Sequence, residues 1–153
     1  MDVKRRLHEL GITLPKAPAR GGLYTPARVF AGTLCYVSGC GPQHDGWNSV
    51  GKVGAEVSLE EAVEASRSSM LNVLAVMERD IGLDRIRQVV KVLTFVASAV
   101  DFHDQPLVAN GGTGLLADIF GQDAGLGARS AVGVASLPGD ISVETEVIFE
   151  LEK

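Results

Sequence analysis

Cysteine is scarce in this chain, which has only Cys35 and Cys40 among its 153 residues. Both lie near the end of one predicted strand, where they form neither a disulfide framework nor a four-ligand zinc site. The three histidines, His8, His44 and His103, fall on separate predicted elements. We therefore expect no metal site. The low cysteine content is typical of a reducing compartment, and we expect a cytoplasmic protein.

Positive charge and long apolar runs are also lacking. Lys and Arg number 14 against 19 Asp and Glu, which gives a net charge of -5. Such a chain gains little from neutralising phosphates, so a dedicated nucleic-acid binder is not expected. No apolar stretch follows the basic residues 4–6, and none approaches the length of a membrane span. We expect neither a signal peptide nor contact with a membrane.

Aromatic residues make up only 5% of the chain, while 46% of it is hydrophobic and 18 residues are glycine. The core must therefore be built mainly from Val, Leu and Ala. The length suits one domain of ordinary size. We expect a single domain over residues 1–153, with residues 1–22 as an N-terminal extension.

The order of predicted elements is β-β-α-β-α-β-β after a short helix at residues 2–10. Two short strands surround Gly32, and a capping box of Ser58 and Glu61 opens a helix that ends at Gly82. An apolar strand covers 88–97, and a helix capped by Asp101 or Asp104 runs to Gly121. Glycines at 111–114 indicate either a close contact or a helix break.

The C-terminal residues predict a β-hairpin. Two alternating runs flank Leu-Pro-Gly-Asp at 137–140, which is typical of a turn. With the loop at Pro138 and Gly139, Val134 lies opposite Val143, and that face is apolar. The other face carries small and charged residues, namely Arg129, Ala131, Gly133, Ser142, Glu144 and Glu146.

Arg129 has two interpretations on this face. It forms an ion pair across the strands with Glu144 or Glu146, or it clamps the carboxylate of a ligand through two parallel hydrogen bonds. The small neighbours Ala131 and Gly133 favour the clamp, because an ion pair does not need the space that they leave.

These residues resemble the C-terminal signature of the RidA (reactive intermediate deaminase, YjgF-like) family. The similarity rests on Ala-Arg-Ser at 128–130, Leu-Pro at 137–138 and Val-Glu-Thr-Glu at 143–146. It extends back through Tyr-Val-Ser-Gly at 36–39, and so covers nearly the whole chain from about Leu14. The resemblance implies a chorismate-mutase-like α+β fold, in which a mixed sheet has two helices on one face. It also implies a homotrimer with pockets at the subunit interfaces. It also implies hydrolysis of enamines and imines such as 2-aminoacrylate to 2-oxo acids and ammonia, without a cofactor.

The resemblance also implies roles for individual residues. Arg129 matches the residue that binds the substrate carboxylate, and Glu144 matches the one that places the water. The positions that match substrate-binding residues are Tyr24, Ser38, Gly39, Asn110 and Ala131. Ala131 stands where the family usually has a cysteine, which the hydrolysis of an imine does not require. In the predicted hairpin Arg129 and Glu144 are about 13 Å apart, so we expect them to serve one pocket from two different chains.

Two alternative functions remain open. The first is a non-catalytic binder of small carboxylates that uses the same interface pocket. The second is an RNA-cleaving or translation-inhibiting protein, since that activity is also attached to the family by name. The acidic charge and the lack of a basic stripe argue against the second alternative.

Overall fold

The computed structural model describes residues 2–153. Its main elements are α1 (Val3–Glu9), β1 (Ala27–Phe30), β2 (Leu34–Cys40), α2 (Leu59–Asp80), β3 (Ile86–Ala97), α3 (Gln105–Gly125), β4 (Ala128–Val134) and β5 (Val143–Leu151). The strands form one sheet in the order β1-β2-β5-β3-β4, in which β3 and β4 are parallel and the other pairs antiparallel. Helices α2 and α3 pack on each other and on one face of this sheet. The predicted element order and α+β class are confirmed.

Helix α2 begins at a capping box and is followed by a glycine, both as predicted. The Ser58 hydroxyl accepts the backbone N–H of Glu61, whose carboxylate accepts the N–H of Ser58 at 2.8 Å. Met70 and Met77 are fully buried in the core. Gly82 adopts a φ of +98°, in the left-handed region that glycine enters without strain.

The glycine-rich stretch of α3 is helical, and its glycines serve a close contact with α2. A Cβ on Gly111 would lie 2.9 Å from the carbonyl carbon of Val63. The backbone N–H of Gly112 donates to the Ser66 hydroxyl at 3.1 Å. The two helices therefore pack backbone against backbone, and of the two sequence-based explanations the close contact is the right one.

We expect Gly111→Ala to destabilise the protein by about 1–3 kcal/mol, because overpacking a core costs roughly that much. The atoms in the way belong to the backbone of Val63 and cannot rotate aside. The matched control is Gly114→Ala in the same helix, where an added Cβ meets nothing within 4 Å. There the higher helix propensity of alanine stabilises by about 1 kcal/mol. The melting temperature should fall in Gly111→Ala and rise in Gly114→Ala. A change in the same direction for both variants would contradict this account.

The ends of α3 are settled by the structure. The helix begins after Asp104 rather than Asp101, with Pro106 in its first turn. The loop predicted from Gly121 to Gly127 is wrong, because the helix resumes after Gly121 and ends at Gly125. A single glycine at φ +81° redirects the chain, but it does not prevent a further helical turn.

The predicted C-terminal hairpin is wrong. Strands β4 and β5 do not pair with each other, since β3 lies between them. Strand β4 runs parallel to β3 with Arg129 beside Val92, and β5 runs antiparallel to β3 with Glu144 beside Phe95. The residues around Leu-Pro-Gly-Asp cross the end of β3 instead of closing a turn. Alternating residues and a turn signal identify two strands, but they do not show which strands pair. Here the long apolar strand β3 forms hydrogen bonds with both β4 and β5.

The register of β4 also reverses the orientation predicted for its side chains. The residues of β4 on the helix-covered face pair with buried residues of β3, namely Arg129 with Val92, Ala131 with Thr94 and Gly133 with Val96. Val132 lies two residues from Val134 and therefore on the face predicted to be apolar and buried, yet it is 40% exposed. A Cβ on Gly133 would lie 2.8 Å from Nε2 of Gln105 in α3. Gly133 therefore leaves room for the side chain of Gln105.

The segment between α1 and β1 is fixed over the edge of the fold. Leu14 and Ala17 pack on the core, and the Arg79 guanidinium in α2 donates to the Pro18 carbonyl at 3.1 Å. At the other end, the Ser38 hydroxyl donates to the Thr25 carbonyl at 2.8 Å. The segment therefore has a defined position beside β2. None of the helices within residues 2–153 is long and apolar enough to cross a membrane.

Candidate functional site

Arg129 is held in place by helix α3. Its Nη1 donates to the Asn110 carbonyl oxygen at 2.7 Å and to the Thr113 hydroxyl at 3.1 Å. Asn110 and Thr113 are three residues apart on the helix, a spacing that puts both on one side. No carboxylate lies within ion-pair distance of Arg129 in residues 2–153, so the ion pair with Glu144 or Glu146 is wrong within a chain. We call Asn110, Thr113, Arg129 and Ala131 the arginine edge.

The arginine edge is open and positively charged. Arg129 is exposed, and Ala131 follows it on the same face of β4. Neutral acceptors hold one nitrogen of the guanidinium and leave its charge unbalanced. Because the guanidinium has five donors in a rigid plane, the remaining ones can bind a carboxylate in parallel. The arrangement is that of an oriented anion clamp.

Four of the predicted site residues line one cleft on the other face of the sheet. These are Tyr24, Ser38, Gly39 and Glu144. We call the whole group the glutamate cleft, and its remaining members are Gly21, Tyr36, Pro138 and Glu146. The structure thus brings the predicted residues together in two groups rather than one.

A bulge in β2 makes room for the Glu144 carboxylate. The register of β2 on β5 shifts between Val37 and Cys40, which pair with Val147 and Thr145, so β2 has one extra residue here. A Cβ on Gly39 would lie 2.8 Å from the carboxyl carbon of Glu144. Glycine is therefore the residue that lets the carboxylate lie against the strand.

The electrostatics of the cleft favour a protonatable Glu144. Burial raises the pKa of the Glu144 carboxyl above its usual range, and the nearby Glu146 charge adds to this effect. The Tyr36 hydroxyl donates to Glu146, and this hydrogen bond, together with burial, raises the pKa of Tyr36 to about 12. Tyr36 therefore keeps its proton and holds Glu146 in place. A carboxylate with a raised pKa is a better proton acceptor at neutral pH than an ordinary one.

Cys40 lies in β2 close to Glu144, and its thiol is buried and therefore unreactive. Burial, with a smaller contribution from Glu144, raises the pKa of Cys40 to about 12, and burial also raises the pKa of Cys35. Alkylation needs the thiolate. We expect iodoacetamide at pH 8 to leave the native protein unmodified and to label both cysteines in denaturant, as read by intact mass. Rapid labelling of Cys40 in the native protein would mean that β2 opens here.

The arginine edge and the glutamate cleft lie on opposite faces of the sheet. Arg129 pairs with buried Val92, whereas Glu144 pairs with Phe95 on the face away from the helices. Their Cα atoms differ by about 10 Å along the strands and about 9.6 Å across them. The prediction that both share a face is wrong. Together these offsets put the two Cα atoms roughly 14 Å apart, close to the distance that the hairpin gave, but on opposite faces.

Sequence reasoning gave no site role to Thr113, Tyr36 or Glu146. The signal for Thr113 is its helical spacing from Asn110. Glu146 lies two residues from Glu144 and therefore on the same face of β5. Tyr36 pairs with Ile148, which extends that face onto β2. Within residues 2–153, no three His, Cys, Asp or Glu side chains are grouped to hold a metal ion.

One protein family matches nearly the whole chain, and relatives of similar length are known. The profile of the endoribonuclease L-PSP family matches residues 14–151. Protein TCP17 of Trypanosoma cruzi is 40% identical over 151 residues, which cover 97% of this chain and 94% of that protein. The crystal structure of Atu1372 from Agrobacterium tumefaciens, described as of unknown function, has a TM-score of 0.88 at 39% identity and covers 98% of this chain and 92% of its own.

A second solved structure is also similar over nearly the whole of both chains. It is a protein of Shewanella oneidensis described as a candidate endoribonuclease, with a TM-score of 0.92 at 27% identity. The match covers 97% of this chain and 99% of that one. With the profile spanning nearly the whole sheet and both long helices, the chain belongs to the endoribonuclease L-PSP family, the RidA (YjgF-like) family that its C-terminal residues resemble.

Proposed function

We propose that this protein hydrolyses small 2-imino acids to 2-oxo acids and ammonia, in pockets that two subunits of a homotrimer form together. The observation that carries the proposal is the state of Arg129. Asn110 and Thr113 orient its guanidinium, and no carboxylate of the described chain neutralises it. Such a group suits a small anion that arrives from solution.

The glutamate cleft supplies the complementary chemistry. With the substrate carboxylate on Arg129, the electrophilic imine carbon lies within reach of a water held by Glu144 of the adjacent subunit. The water oxygen bonds to this carbon while Glu144 accepts a proton, and the C=N double bond becomes a single bond. That proton then passes to the nitrogen, the C–O bond becomes a C=O double bond as the C–N bond breaks, and the hydroxyl proton goes to the Glu144 carboxylate, so that the 2-oxo acid and ammonia leave.

Positioning accounts for most of the rate enhancement that this reaction needs. An iminium carbon already attracts nucleophiles, so holding the substrate and one water in reacting geometry is the main task. The raised pKa of Glu144 suits it to accept a proton from that water. The chemistry calls for no metal or cofactor.

The uncovered face of the sheet supports an association of subunits, and three is the number that the family resemblance implies. Both long helices lie on the other face, and the uncovered one carries large exposed side chains, including Phe30, Tyr36 and Val132. Association through this face buries them. It also allows the arginine edge of one subunit to approach the glutamate cleft of the next, which a single chain cannot achieve.

The test is to generate a 2-imino acid with an amino-acid oxidase and to let the protein compete for it with a trapping amine. Faster formation of 2-oxo acid supports the proposal. An unchanged rate together with saturable binding of 2-oxo acids would indicate a carboxylate binder. Cleavage of single-stranded RNA by the wild type, lost in Arg129→Ala, would favour the nuclease that the family description names, although a net charge of -5 argues against it.

A further inference from the structure

Glu146 is the second carboxylate of the glutamate cleft, and the proposed reaction gives it no role. It lies two residues from Glu144 on the same face of β5, so their Cα atoms are about 7 Å apart. Both side chains line the cleft, and so does Tyr36. The Tyr36 hydroxyl donates to Oε1 of Glu146, while Oε2 has no hydrogen-bond partner within residues 2–153. Glu146 therefore has a fixed side chain and a free acceptor in the cleft.

No positive side chain among residues 2–153 forms an ion pair with Glu146 or with Glu144. Two cations, Arg28 of β1 and Lys91 of β3, lie on the same face of the sheet. The Lys91 ammonium donates to the Ser130 hydroxyl at 2.7 Å instead, and Arg28 is exposed. The cleft therefore suits a ligand that brings its own positive charge to Glu146.

The substrate of the proposed reaction has such a charge. A protonated 2-imino acid has a carboxylate at one end and an iminium group, =NH₂⁺, on the carbon that water attacks. The attacking water stands roughly 3 Å from this carbon, and hence within about 4 Å of the nitrogen. Two carboxylates about 7 Å apart can each reach one of these atoms through a hydrogen bond of about 2.8 Å. The spacing of Glu144 and Glu146 therefore fits the water and the nitrogen.

We propose that Glu146 is a further catalytic residue, which binds the iminium nitrogen of the substrate while Tyr36 holds the carboxylate in position. The proposal rests on the proposed hydrolysis. The iminium form is the reactive one, because its nitrogen takes the electron pair of the C=N bond when the water oxygen bonds to the carbon. Glu146 keeps the bound imine in this form. When the nitrogen later gains the proton from Glu144, it becomes positive again, and Glu146 stabilises it until the C–N bond breaks.

Two probes of equal size test the contact without any hydrolysis. Glycine and glycolate both have a carboxylate, and they differ in an ammonium group in place of a hydroxyl. We expect the wild type to bind glycine about tenfold more tightly, because a hydrogen bond to a charged group is worth at least that much. Titrations followed by NMR should show that Glu146→Gln loses this preference and that Glu144→Gln keeps most of it. Equal affinities in the wild type, or a preference that survives Glu146→Gln, overturn the assignment.

The variants are chosen to leave the fold intact. Glutamine keeps the shape of Glu146 and an oxygen that can accept the Tyr36 hydroxyl. The matched control is Glu150→Gln, the same change on the same strand, where the carboxylate bonds to Arg87 and Gln88 outside the cleft. It should bind both probes as the wild type does. Tyr36→Phe keeps the Glu146 charge but frees the side chain, and it should weaken glycine binding by roughly threefold. Unchanged binding overturns the positioning role of Tyr36.

The pH dependence of kcat gives an independent test, because it reports the groups that titrate in the enzyme–substrate complex. The bound imine loses its proton on the basic limb, and Glu146→Gln should move this limb to lower pH by about one unit. The acidic limb, set by Glu144, should also move to lower pH, because a neighbouring charge that raises the pKa of Glu144 is removed. Tyr36, with a pKa of about 12, does not titrate in this range. If only the acidic limb moves, Glu146 tunes Glu144 and the contact with the nitrogen is overturned.

The outcomes separate this proposal from the proposed hydrolysis. We expect Glu146→Gln to lower kcat/KM by about tenfold in the trapped-imine assay. Hydrolysis that Glu146→Gln leaves unchanged overturns the role of Glu146 and leaves the hydrolase standing. If no imine is hydrolysed, a preference for glycine that is lost in Glu146→Gln supports a cation site at Glu146 and overturns its catalytic role together with the hydrolase. Equal binding of the two probes without hydrolysis overturns both.

Discussion

Arg129→Ala should abolish imine hydrolysis while leaving a folded protein of unchanged oligomeric state. The side chain bonds to Asn110 and Thr113 at an exposed edge, and no ion pair within the chain is lost with it. Removing one partner of a desolvated, hydrogen-bonded charge pair costs about 2–5 kcal/mol. We therefore expect kcat/KM to fall by roughly 30-fold to 5,000-fold, as measured with the trapped-imine assay.

Arg129→Lys should recover little of this loss. Lysine keeps the charge, but it has no planar fork for two parallel hydrogen bonds to a carboxylate. The matched control is Arg87→Ala, which removes another sheet arginine that forms an ion pair with Glu150 at 3.2 Å. This control should retain activity. If Arg129→Ala lowers the melting temperature sharply and the control does not, Arg129 is a structural residue and the clamp is wrong.

Local signals in the sequence predicted most of the elements correctly. The capping box at Ser58, the buried Met70 and Met77, and the glycine at 82 each depend on residues within a few positions of one another. Such interactions form between residues that are close in sequence, so the local sequence predicts them. The same holds for the strands, because alternation along β5 places every second residue in the core.

Strand partners were not predictable in this way. Residues 128–134 and 143–151 have the pattern of a hairpin. Strand β4 is instead stabilised by pairing with β3 and by packing against α3. The small residues Ala131 and Gly133 suggest space for a ligand, but in the structure Gly133 leaves room for the Gln105 side chain. When two strands are separated by thirty or more residues, neither segment's own sequence shows which strand it pairs with.

In the candidate site too, the residue types were predictable from the sequence and their relative positions were not. The resemblance identified Arg129 and Glu144, and their chemistry follows from residue type. Their placement on opposite faces depends on the β3 register, which the sequence does not reveal. The contact of Asn110 with Arg129 joins a helix to a strand, so the sequence suggested both residues but not their hydrogen bond.

Two inactive variants, Arg129→Ala and Glu144→Ala, should restore activity to each other when unfolded and refolded together. In one chain the two side chains point to opposite faces of the sheet, with β3 between them. No movement of a side chain brings them to one substrate of a few atoms. A neighbouring subunit can place its glutamate cleft against the arginine edge, and a closed ring of three does so at every interface.

The amount of recovered activity is fixed by counting. Every mixed ring of three has one interface at which an intact Arg129 meets an intact Glu144. Random 1:1 mixing makes about three-quarters of the rings mixed, so roughly a quarter of wild-type sites should return. Activity should be highest at equal proportions and fall symmetrically towards either pure variant, which nonspecific stabilisation during refolding does not produce.

The controls decide between a shared pocket and a pocket within one chain. Each variant refolded alone must be inactive, and sedimentation must show trimers in every sample. Refolding Arg129→Ala with a chain that carries both substitutions should restore nothing, because no intact Arg129 is then present. If the mixture of single variants also stays inactive at every ratio, both residues of a pocket come from one chain. A stable monomer at micromolar concentration would remove the interface altogether, since the uncovered sheet face would then have no partner to bury it.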